Sequence, residues 1–268
     1  MTDFQKKIIA EFGVAKAEDF NPQWEITRRV EFLKDEIIKA KKNGLVLGIS
    51  GGQDSFLAGK LSQMAVRDLT YIGGNCLFYV MRLPYGVQRD EADAMASIEA
   101  IDADRVIHYN IKPAVDASVD EFLRNGIEIG DYQKGNIKAR YRMAAQFDIA
   151  SLNNCLVVGT DHAAEAIVGF YTKFGDGACD IAPLSTLNKR QGREMAKLLG
   201  APSQIIRKKP TADLEDSRPG LPDEVSLGIT YDMIDDFLEG EPVPPEIEEK
   251  IFNQYTFTEH KRSPIRKI

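Results

Sequence analysis

The residue types best suited to chemistry lie in one short segment, Ser50-Gly51-Gly52-Gln53-Asp54-Ser55. The segment joins an apolar run to an amphipathic stretch, which predicts a turn from a strand into a helix. Two consecutive glycines permit backbone angles at which successive N–H groups converge on an anion, and the helix N-terminus adds partial positive charge. The serine hydroxyls can donate hydrogen bonds, and the Asp54 carboxylate can bind a hard cation such as Mg²⁺. Together these features suit a phosphate group with its metal.

A plain structural role fits the same segment, as a tight turn in which Asp54 or Ser55 caps the helix. The segment is not a Walker A loop, because no GxxxxGK[ST] string occurs and Gly59-Lys60 is followed by Leu61. It also lacks the spaced glycines of the dinucleotide fingerprint. A phosphate-binding loop of another kind is therefore the functional interpretation.

The elements that must position this loop alternate between short apolar runs and amphipathic stretches. Four apolar runs predict buried strands, at Leu45–Ile49, Leu77–Met81, Val106–Tyr109 and Leu156–Gly159. Helices are predicted at Trp24–Lys41, Asp54–Arg67, Asp90–Ile101, Val115–Arg124 and Asn136–Leu152. Strands that alternate with helices predict an α/β fold, in which a parallel β-sheet carries helices on both faces.

Polar segments follow three of these predicted strands, where α/β folds collect their chemistry. They are Ser50–Ser55, Arg82–Gly86 and Thr160–His162. After about residue 171 the alternation fades, and Gly175–Gly177 and Lys208–Glu224 are predicted to be long loops.

We expect a single domain over residues 1–268, with mobile loops at about 82–90 and 205–225. The second loop could be a solvated charge run, or it could be a lid that orders over the ligand of the phosphate-binding loop, with Thr211 as a polar contact. A lid would keep water away from a reactive intermediate.

Composition excludes several classes of protein. The 268 residues carry a net charge of −7, whereas a general nucleic-acid binder needs a broad basic surface. The three cysteines form no CxxC pair, which predicts reduced thiols and no zinc finger. Neither an apolar leader nor a stretch of membrane-spanning length occurs, so we expect a cytoplasmic protein without a membrane partner.

The string SGGQDS resembles the SGGxDS pyrophosphate loop of the N-type ATP pyrophosphatases, enzymes that adenylate their substrates. That loop alone fits GMP synthetases, asparagine synthetases, tRNA-modifying enzymes and NAD synthetases. Further strings resemble those of ammonia-dependent NAD synthetases: Arg82–Gly86, Gly159–Ala166, Thr172–Gly177, Asp180–Leu184, Leu187–Gln191, Pro210–Leu214 and Glu259–Arg262. The resemblance runs from about Ile26 to Arg262 and implies a Rossmann-like fold of the adenine nucleotide alpha hydrolase type.

The resemblance implies a ligase that catalyses the last step of NAD biosynthesis. MgATP would adenylate the nicotinate carboxylate of deamido-NAD with release of pyrophosphate, and ammonia would then displace AMP to give NAD. A glutamine-hydrolysing domain would need a couple of hundred residues more, so free ammonia is the expected donor, with a separate glutaminase subunit left open. The family is homodimeric, although the apolar pattern of Asn136–Leu152 by itself favours burial against the chain's own core.

The resemblance also implies roles for individual residues. The implied catalytic residues are Ser50, Asp54 and Lys189, and the implied Mg²⁺ ligands are Asp54 and Glu165. The implied ATP-binding residues are Gly48, Ile49, Ser50, Gly51, Gly52, Gln53, Asp54, Ser55, Thr160, Lys189 and Thr211. The implied deamido-NAD-binding residues are Arg140, Lys173, Asp180, His260 and Lys261.

Plainer interpretations stay open for several of these residues. Glu165 falls on a predicted helix, where a glutamate usually faces solvent, and Arg140 could be a surface charge. Lys189 and Arg190 could be ordinary first-turn residues after Asn188 as N-cap. Two other functions also stay open. One is another SGGxDS pyrophosphatase, for which a basic face and reactive cysteines are expected, and the other is an ATP-binding module without catalysis.

Overall fold

The structure, a computed structural model, describes residues 1–88, 90–211, 216–218 and 220–267 of the chain. Its strands are β1 (Gly44–Gly48), β2 (Leu77–Arg82), β3 (Arg105–His108) and β4 (Leu156–Val157). Within the described residues they form a four-stranded sheet in the order β3-β2-β1-β4, and every neighbouring pair is parallel.

Helices precede, connect and follow these strands. Those of the first half are α1 (Asp3–Phe12), α2 (Pro22–Lys39), α3 (Gln53–Tyr71), α4 (Glu91–Ile101), α5 (Lys112–Arg124) and α6 (Asp131–Asn153). Those of the second half are α7 (Ala163–Val168), α8 (Lys189–Leu198), α9 (Ser203–Arg207), α10 (Asp223–Leu227), α11 (Tyr231–Glu239), α12 (Pro245–Phe257) and α13 (Glu259–Arg262). The predicted α/β class is confirmed, and the predicted helices differ from the observed ones mainly at their ends.

Both faces of the sheet are covered because successive residues of β1 point to opposite sides. Leu45 and Leu47 pack into a core that α2, α3 and α8 complete. Val46 packs on the other side with Val115 of α5 and Ala145 of α6. The chain therefore has the predicted single-domain, Rossmann-like arrangement.

The prediction of a buried third strand was wrong. Strand β3 lies at the edge of the sheet, and Val106 and Tyr109 are 43% and 47% exposed. An apolar run predicts a strand but does not distinguish a central strand from an edge strand. The fourth strand is also shorter than predicted, because its ladder ends at Val157 and Val158 instead forms an isolated bridge with Ile181.

Helix α6 only partly matches its expected burial against the chain's own core. Ala145 and Ala150 are buried, whereas Leu152 is 80% exposed. The predicted loop Lys208–Glu224 also ends early, because α10 begins at Asp223. No helix in the described part of the chain is long and apolar enough to span a membrane.

A further core lies beside the sheet, where α1, α7, α11 and α12 pack together. Its buried residues include Ile8, Ile167, Ile234, Phe237 and Ile251. This core fixes α7 and α11 against each other, and both helices carry polar residues of the candidate site.

Candidate active site

The loop after β1 has the shape that the two glycines predict. Gly51 has φ +78°, and a Cβ atom there would lie 2.6 Å from the backbone nitrogen of Ala94, so a side chain could not fit without a backbone shift. The Ser50 hydroxyl accepts the Gly52 N–H at 3.2 Å and lies 3.1 Å from the Ser55 hydroxyl. The two serines therefore hold the loop in one shape.

The first turn of α3 is left open toward this loop. Gly52 is the N-cap, and a glycine has no side chain that could accept a hydrogen bond from the first turn of the helix. The plain interpretation, in which Asp54 or Ser55 caps the helix, was therefore wrong. Open N–H groups at a helix N-terminus are suited to an anion.

Three of the predicted residues meet at the carboxyl ends of β1 and β4. The Lys189 ammonium lies 2.7 Å from Asp54 Oδ2 and 3.6 Å from Glu165 Oε1. Lys189 is the first residue of α8 after the N-cap Asn188, as the plain interpretation expected. Its side chain is nevertheless only 3% exposed. Glu165 is 16% exposed, so the alternative of a solvated helix face was wrong.

The charges in this group stabilise one another. Burial opposes ionisation of Glu165, but the neighbouring His162 and Lys189 outweigh it and hold the pKa of this carboxyl well below its usual range. Burial likewise opposes the Lys189 ammonium, but Asp54 and Glu165 outweigh it and raise the pKa of that amine. The Glu165 carboxylate and the Lys189 ammonium are therefore charged at neutral pH.

His162 is a neighbour that the predicted residue set missed. Its Nδ1 accepts the Glu165 N–H at 3.4 Å and so caps α7, while its Nε2 lies 3.2 Å from Glu165 Oε1. A neutral imidazole with its proton on Nε2 satisfies both contacts. His162 directly follows Asp161 in the string Gly159–Ala166, but the string does not say which way the ring points.

The donor atoms in this group fit a hard divalent cation. Asp54, His162 and Glu165 each offer an atom within 4.8 Å of the others. The two contacts of His162 use its acceptor nitrogen and its proton, which leaves the carboxylate oxygens of Asp54 and Glu165 as the donors. Carboxylate oxygens are the ligands that Mg²⁺ prefers, so the residues fit the predicted metal.

Helix α11 supplies two further residues that the sequence did not single out. The Tyr231 ring lies 4.7 Å from the Lys189 ammonium, and its hydroxyl lies 3.5 Å from Glu165 Oε1. Asp235 accepts backbone N–H groups at the start of α8. The string YDMIDD looks like an ordinary amphipathic helix, so only the packing of α11 against α8 shows where these residues point.

A cavity of about 260 Å³ opens above this group. The predicted ATP and metal residues that line it are Gly48, Ile49, Ser50, Gly52, Gln53, Asp54, Ser55, Thr160, Glu165, Lys189 and Thr211. Gly51 instead turns toward α4. The Gln53 side chain also reaches down and donates to the Lys189 carbonyl at 3.2 Å. The other polar side chains of the lining are Arg82, Gln88, Asp90, Arg142, Gln146, Asp161, Asp176, Lys208, Lys209 and Asp223.

The segment after α9 extends over the phosphate loop. The Lys208 ammonium lies 3.5 Å from the Gly51 carbonyl and 3.2 Å from Asp93. Beyond it, Asp216 pairs with Lys134 and Lys138 at the start of α6. Within the predicted mobile loops, residues 89, 212–215 and 219 lie outside the described residues.

The five predicted deamido-NAD residues are placed differently, and none of them lines the described cavity. The Lys173 ammonium donates to the His260 carbonyl, and Lys261 donates to the carbonyls of Gly169 and Tyr171. Lys173, His260 and Lys261 are thus brought into one neighbourhood.

The remaining two residues of that set lie elsewhere. Asp180 is exposed, and one of its carboxylate oxygens accepts the Val157 N–H at 2.7 Å. Arg140 is exposed on α6. In this chain Asp180 therefore ties the segment after α7 to strand β4.

Comparison with known proteins points to one family. The model of the NAD synthase family matches residues 25–265. The chain is 56% identical over 243 residues to an NH(3)-dependent NAD(+) synthetase of Exiguobacterium sp., with 90% of each chain covered. It is 54% identical over 267 residues to a protein of the same name from Escherichia coli O127:H6, with 97% of this chain and 95% of that one covered.

Solved structures show the same fold. The chain superposes with a TM-score of 0.83 on an NAD+ synthetase from Burkholderia pseudomallei, which is 43% identical, with 97% of this chain and 96% of that one covered. An NMN synthetase from Francisella tularensis gives a TM-score of 0.82 at 33% identity, with 93% of this chain and 99% of that one covered.

Proposed function

Because the chain belongs to the NAD synthase family, whose members are ATP-dependent ligases of NAD biosynthesis, we propose that it uses ATP and ammonia to convert deamido-NAD into NAD. The observation that carries the proposal is the group of Asp54, Glu165 and Lys189, which meets beside an open helix N-terminus in one cavity. The relatives do not favour the two alternatives, a tRNA-modifying pyrophosphatase and a non-catalytic ATP-binding module.

The first step would attach AMP to the nicotinate carboxylate. A carboxylate is a poor electrophile because its leaving group would be oxide, whereas an acyl-adenylate can expel AMP. As a carboxylate oxygen bonds to the α-phosphorus, negative charge grows on the departing pyrophosphate. The N–H groups of the Ser50–Ser55 loop and the Lys189 ammonium are placed to stabilise that charge.

Mg²⁺ is the metal that we assign to Asp54 and Glu165. When bound, it would neutralise charge on the phosphate oxygens of ATP. The chain's own part is to hold the phosphates in one position. Ser50 and Ser55 shape the loop, and Thr160 and Thr211 offer hydroxyl groups at the cavity wall.

The second step would form the amide bond. Ammonia attacks the acyl carbon, the C–O bond to AMP breaks, and the nitrogen must lose a proton. Asp161 and Asp176 face the cavity and are suited to accept it. Burial, together with the charge of Glu165, raises the pKa of Asp161 well above its usual range.

We assign deamido-NAD to Lys173, His260 and Lys261, together with Arg140 and Asp180. These residues lie outside the ATP cavity. We therefore expect a second copy of the chain to supply the rest of the deamido-NAD site. A further observation supports a homodimer. Large apolar side chains on and beside α5 and α6 are exposed: Phe122, Leu123, Ile127, Tyr132 and Leu152.

Sedimentation tests this assembly. The wild type should sediment at twice the mass of one 29.9 kDa chain. Leu152→Glu on α6 should sediment as a single chain, whereas Tyr71→Glu, at a residue 92% exposed on α3, should not change the mass. A wild type that stays monomeric at micromolar concentration would contradict the homodimer.

The activity itself is tested by its products. The protein is incubated with MgATP, ammonium chloride and either deamido-NAD or nicotinate mononucleotide, and NAD, AMP and pyrophosphate are measured. We expect equal amounts of the three products with deamido-NAD and little turnover with the mononucleotide. A preference for the mononucleotide would instead place the chain with the Francisella tularensis NMN synthetase. The absence of products from folded protein that binds ATP would falsify the proposal.

A further inference from the structure

The N-terminus of α8 is held by more contacts than a helix end usually has. Asn188 is its N-cap and forms a complete capping box with Gln191. In addition, the two carboxylate oxygens of Asp235 accept the N–H groups of Lys189 at 3.1 Å and Arg190 at 2.8 Å. The first three N–H groups of the helix are therefore all bound by side chains, whereas a capping box by itself binds only one of these three.

The environment of Asp235 makes this an unfavourable place for a charge. The residue is 1% exposed. Burial raises the pKa of this carboxyl to about 6, even though the N–H groups of Arg190 and Lys189 oppose the shift. A carboxylate that costs stability when ionised usually serves function, because selection for stability alone would favour a neutral residue.

The same helix also contacts the other end of Lys189. Tyr231 lies four residues before Asp235, so both side chains project from one face of α11. The Tyr231 ring lies 4.7 Å from the Lys189 ammonium. Helix α11 therefore holds this lysine at its backbone through Asp235 and at its charged end through Tyr231.

We propose that Asp235 is a positioning residue for Lys189. By binding the first two N–H groups of α8, it fixes the point from which the long lysine side chain starts and so the place of its ammonium between Asp54 and Glu165. The inference rests on the proposed function, in which that ammonium contacts ATP. Small displacements of a positioned group are costly, about 100-fold in rate for 1 Å.

The variant Asp235→Asn tests this role because it keeps the shape of the side chain but replaces one acceptor oxygen with an N–H₂ donor, which repels a backbone N–H. We expect kcat to fall about 10-fold and the KM for ATP to rise about 3-fold, with the KM for deamido-NAD unchanged. The matched control is Asp236→Asn. Asp236 is 41% exposed and binds the Arg190 guanidinium at 2.8 Å, so this variant should keep wild-type kinetics.

Thermal unfolding of each variant separates positioning from support of the fold. If Asp235→Asn lowers the melting temperature but the folded protein keeps wild-type kcat and KM for ATP, Asp235 only supports the fold and the inference is overturned. Should Asp235→Asn fail to fold, Asp235→Ser takes its place, because the smaller residue leaves room for a water to bind both N–H groups. The same kinetic change is expected of it, and wild-type kinetics would overturn the inference.

Lys189→Gln distinguishes this inference from the proposed function. It should lose more activity than Asp235→Asn and raise the KM for ATP in the same direction. If Lys189→Gln has wild-type kinetics, the ATP role of Lys189 fails, and with it the proposed function of this site. If Lys189→Gln is impaired and Asp235→Asn is normal, only the positioning role fails.

Discussion

Asp54, Glu165 and Lys189 at the ATP cavity are buried or half-buried and pair with one another, whereas the side chains that we assign to deamido-NAD mostly face outward. Lys189 is 3% exposed between two carboxylates, while Lys173 and Lys261 donate to backbone carbonyls. One chain thus brings together the residues that we assign to ATP. The residues that we assign to deamido-NAD are held in place, but they do not line that cavity.

The sheet explains this difference. Strand β1 lies between β2 and β4, so the loops that follow these three strands meet at one edge. Ser50, Arg82 and Thr160 all line the cavity for that reason. Arg140 on α6 and His260 on α13 are placed by helices, and no strand end brings them together.

Asp54→Asn should have the largest effect on the ATP side of this comparison. Losing the charge that pairs with Lys189 and that we assign to Mg²⁺ binding should lower kcat about 100-fold or more, because one electrostatic contact to a transition state has that magnitude. Pyrophosphate release measures the effect. Asp68→Asn, on the exposed side of the same helix, should match the wild type. Near-normal turnover of Asp54→Asn would contradict the assignment of Asp54 as a Mg²⁺ ligand.

His162→Asn should weaken metal binding while keeping the cap of α7. Asparagine is a good N-cap, but it cannot reproduce the contact between Nε2 and Glu165 at 3.2 Å. We expect the affinity for Mn²⁺, used as a spectroscopic substitute, to fall about 10-fold, as for other residues that orient metal ligands. Electron paramagnetic resonance of free Mn²⁺ gives the value. Unchanged affinity would show that Glu165 keeps its orientation without the histidine.

Lys173→Ala should affect the other region alone. Losing one charged donor should raise the KM for deamido-NAD about 10-fold and leave the KM for ATP unchanged. Steady-state kinetics with each substrate varied in turn measures both constants. Lys250→Ala is the control, since this lysine also donates to a backbone carbonyl, that of Gly228. A selective rise in the KM for ATP would contradict the assignment.

Asp131→Asn should loosen the segment that lies over the ATP cavity. The Asp131 carboxylate accepts the N–H groups of Asp216 and Ser217, each at 2.8 Å. Trypsin should therefore cleave after Lys208 about 3-fold faster in the variant, because lost hydrogen bonds make local opening easier. Asp148→Asn, on the exposed side of α6, is the control. ATP with deamido-NAD should slow cleavage of the wild type. Equal cleavage rates with and without these ligands would contradict the prediction that this segment is a lid.

The pH dependence of stability should show a cost that only the ATP side carries. Asp235 has a folded-state pKa of about 6 against an ordinary value of 3.8, so the folded state binds more protons between these values. The contribution of Asp235 to the free energy of unfolding therefore falls as pH rises through this window, by about 3 kcal/mol in all. The variant Asp235→Asn has no carboxyl that titrates at this position. Its free energy of unfolding relative to that of the wild type, measured by urea titration, should therefore rise from pH 3 to pH 7. An equal difference at both pH values would show that the carboxyl titrates normally.

Sequence predicted the parts of the site that local spacing determines. Ser50–Ser55 and Thr160 follow apolar runs, so the parallel sheet alone brings them together. Sequence did not predict the parts that helix packing determines. Tyr231 and Asp235 are ordinary helix residues until α11 packs against the start of α8. His162 lies in a predicted strand-end segment, but the sequence did not show that its ring contacts Glu165. The edge position of β3 was missed for a similar reason, because the residues of a single strand do not determine its place in the sheet.

The fate of one oxygen atom tests the central claim most directly. Deamido-NAD labelled with ¹⁸O in its nicotinate carboxylate is converted with MgATP and ammonium, and the phosphate products are examined by mass spectrometry. Adenylation predicts that one labelled oxygen appears in AMP and none in pyrophosphate, because the carboxylate oxygen that attacks the α-phosphorus leaves with AMP. Label in pyrophosphate or in inorganic phosphate, or AMP without label, would contradict the account.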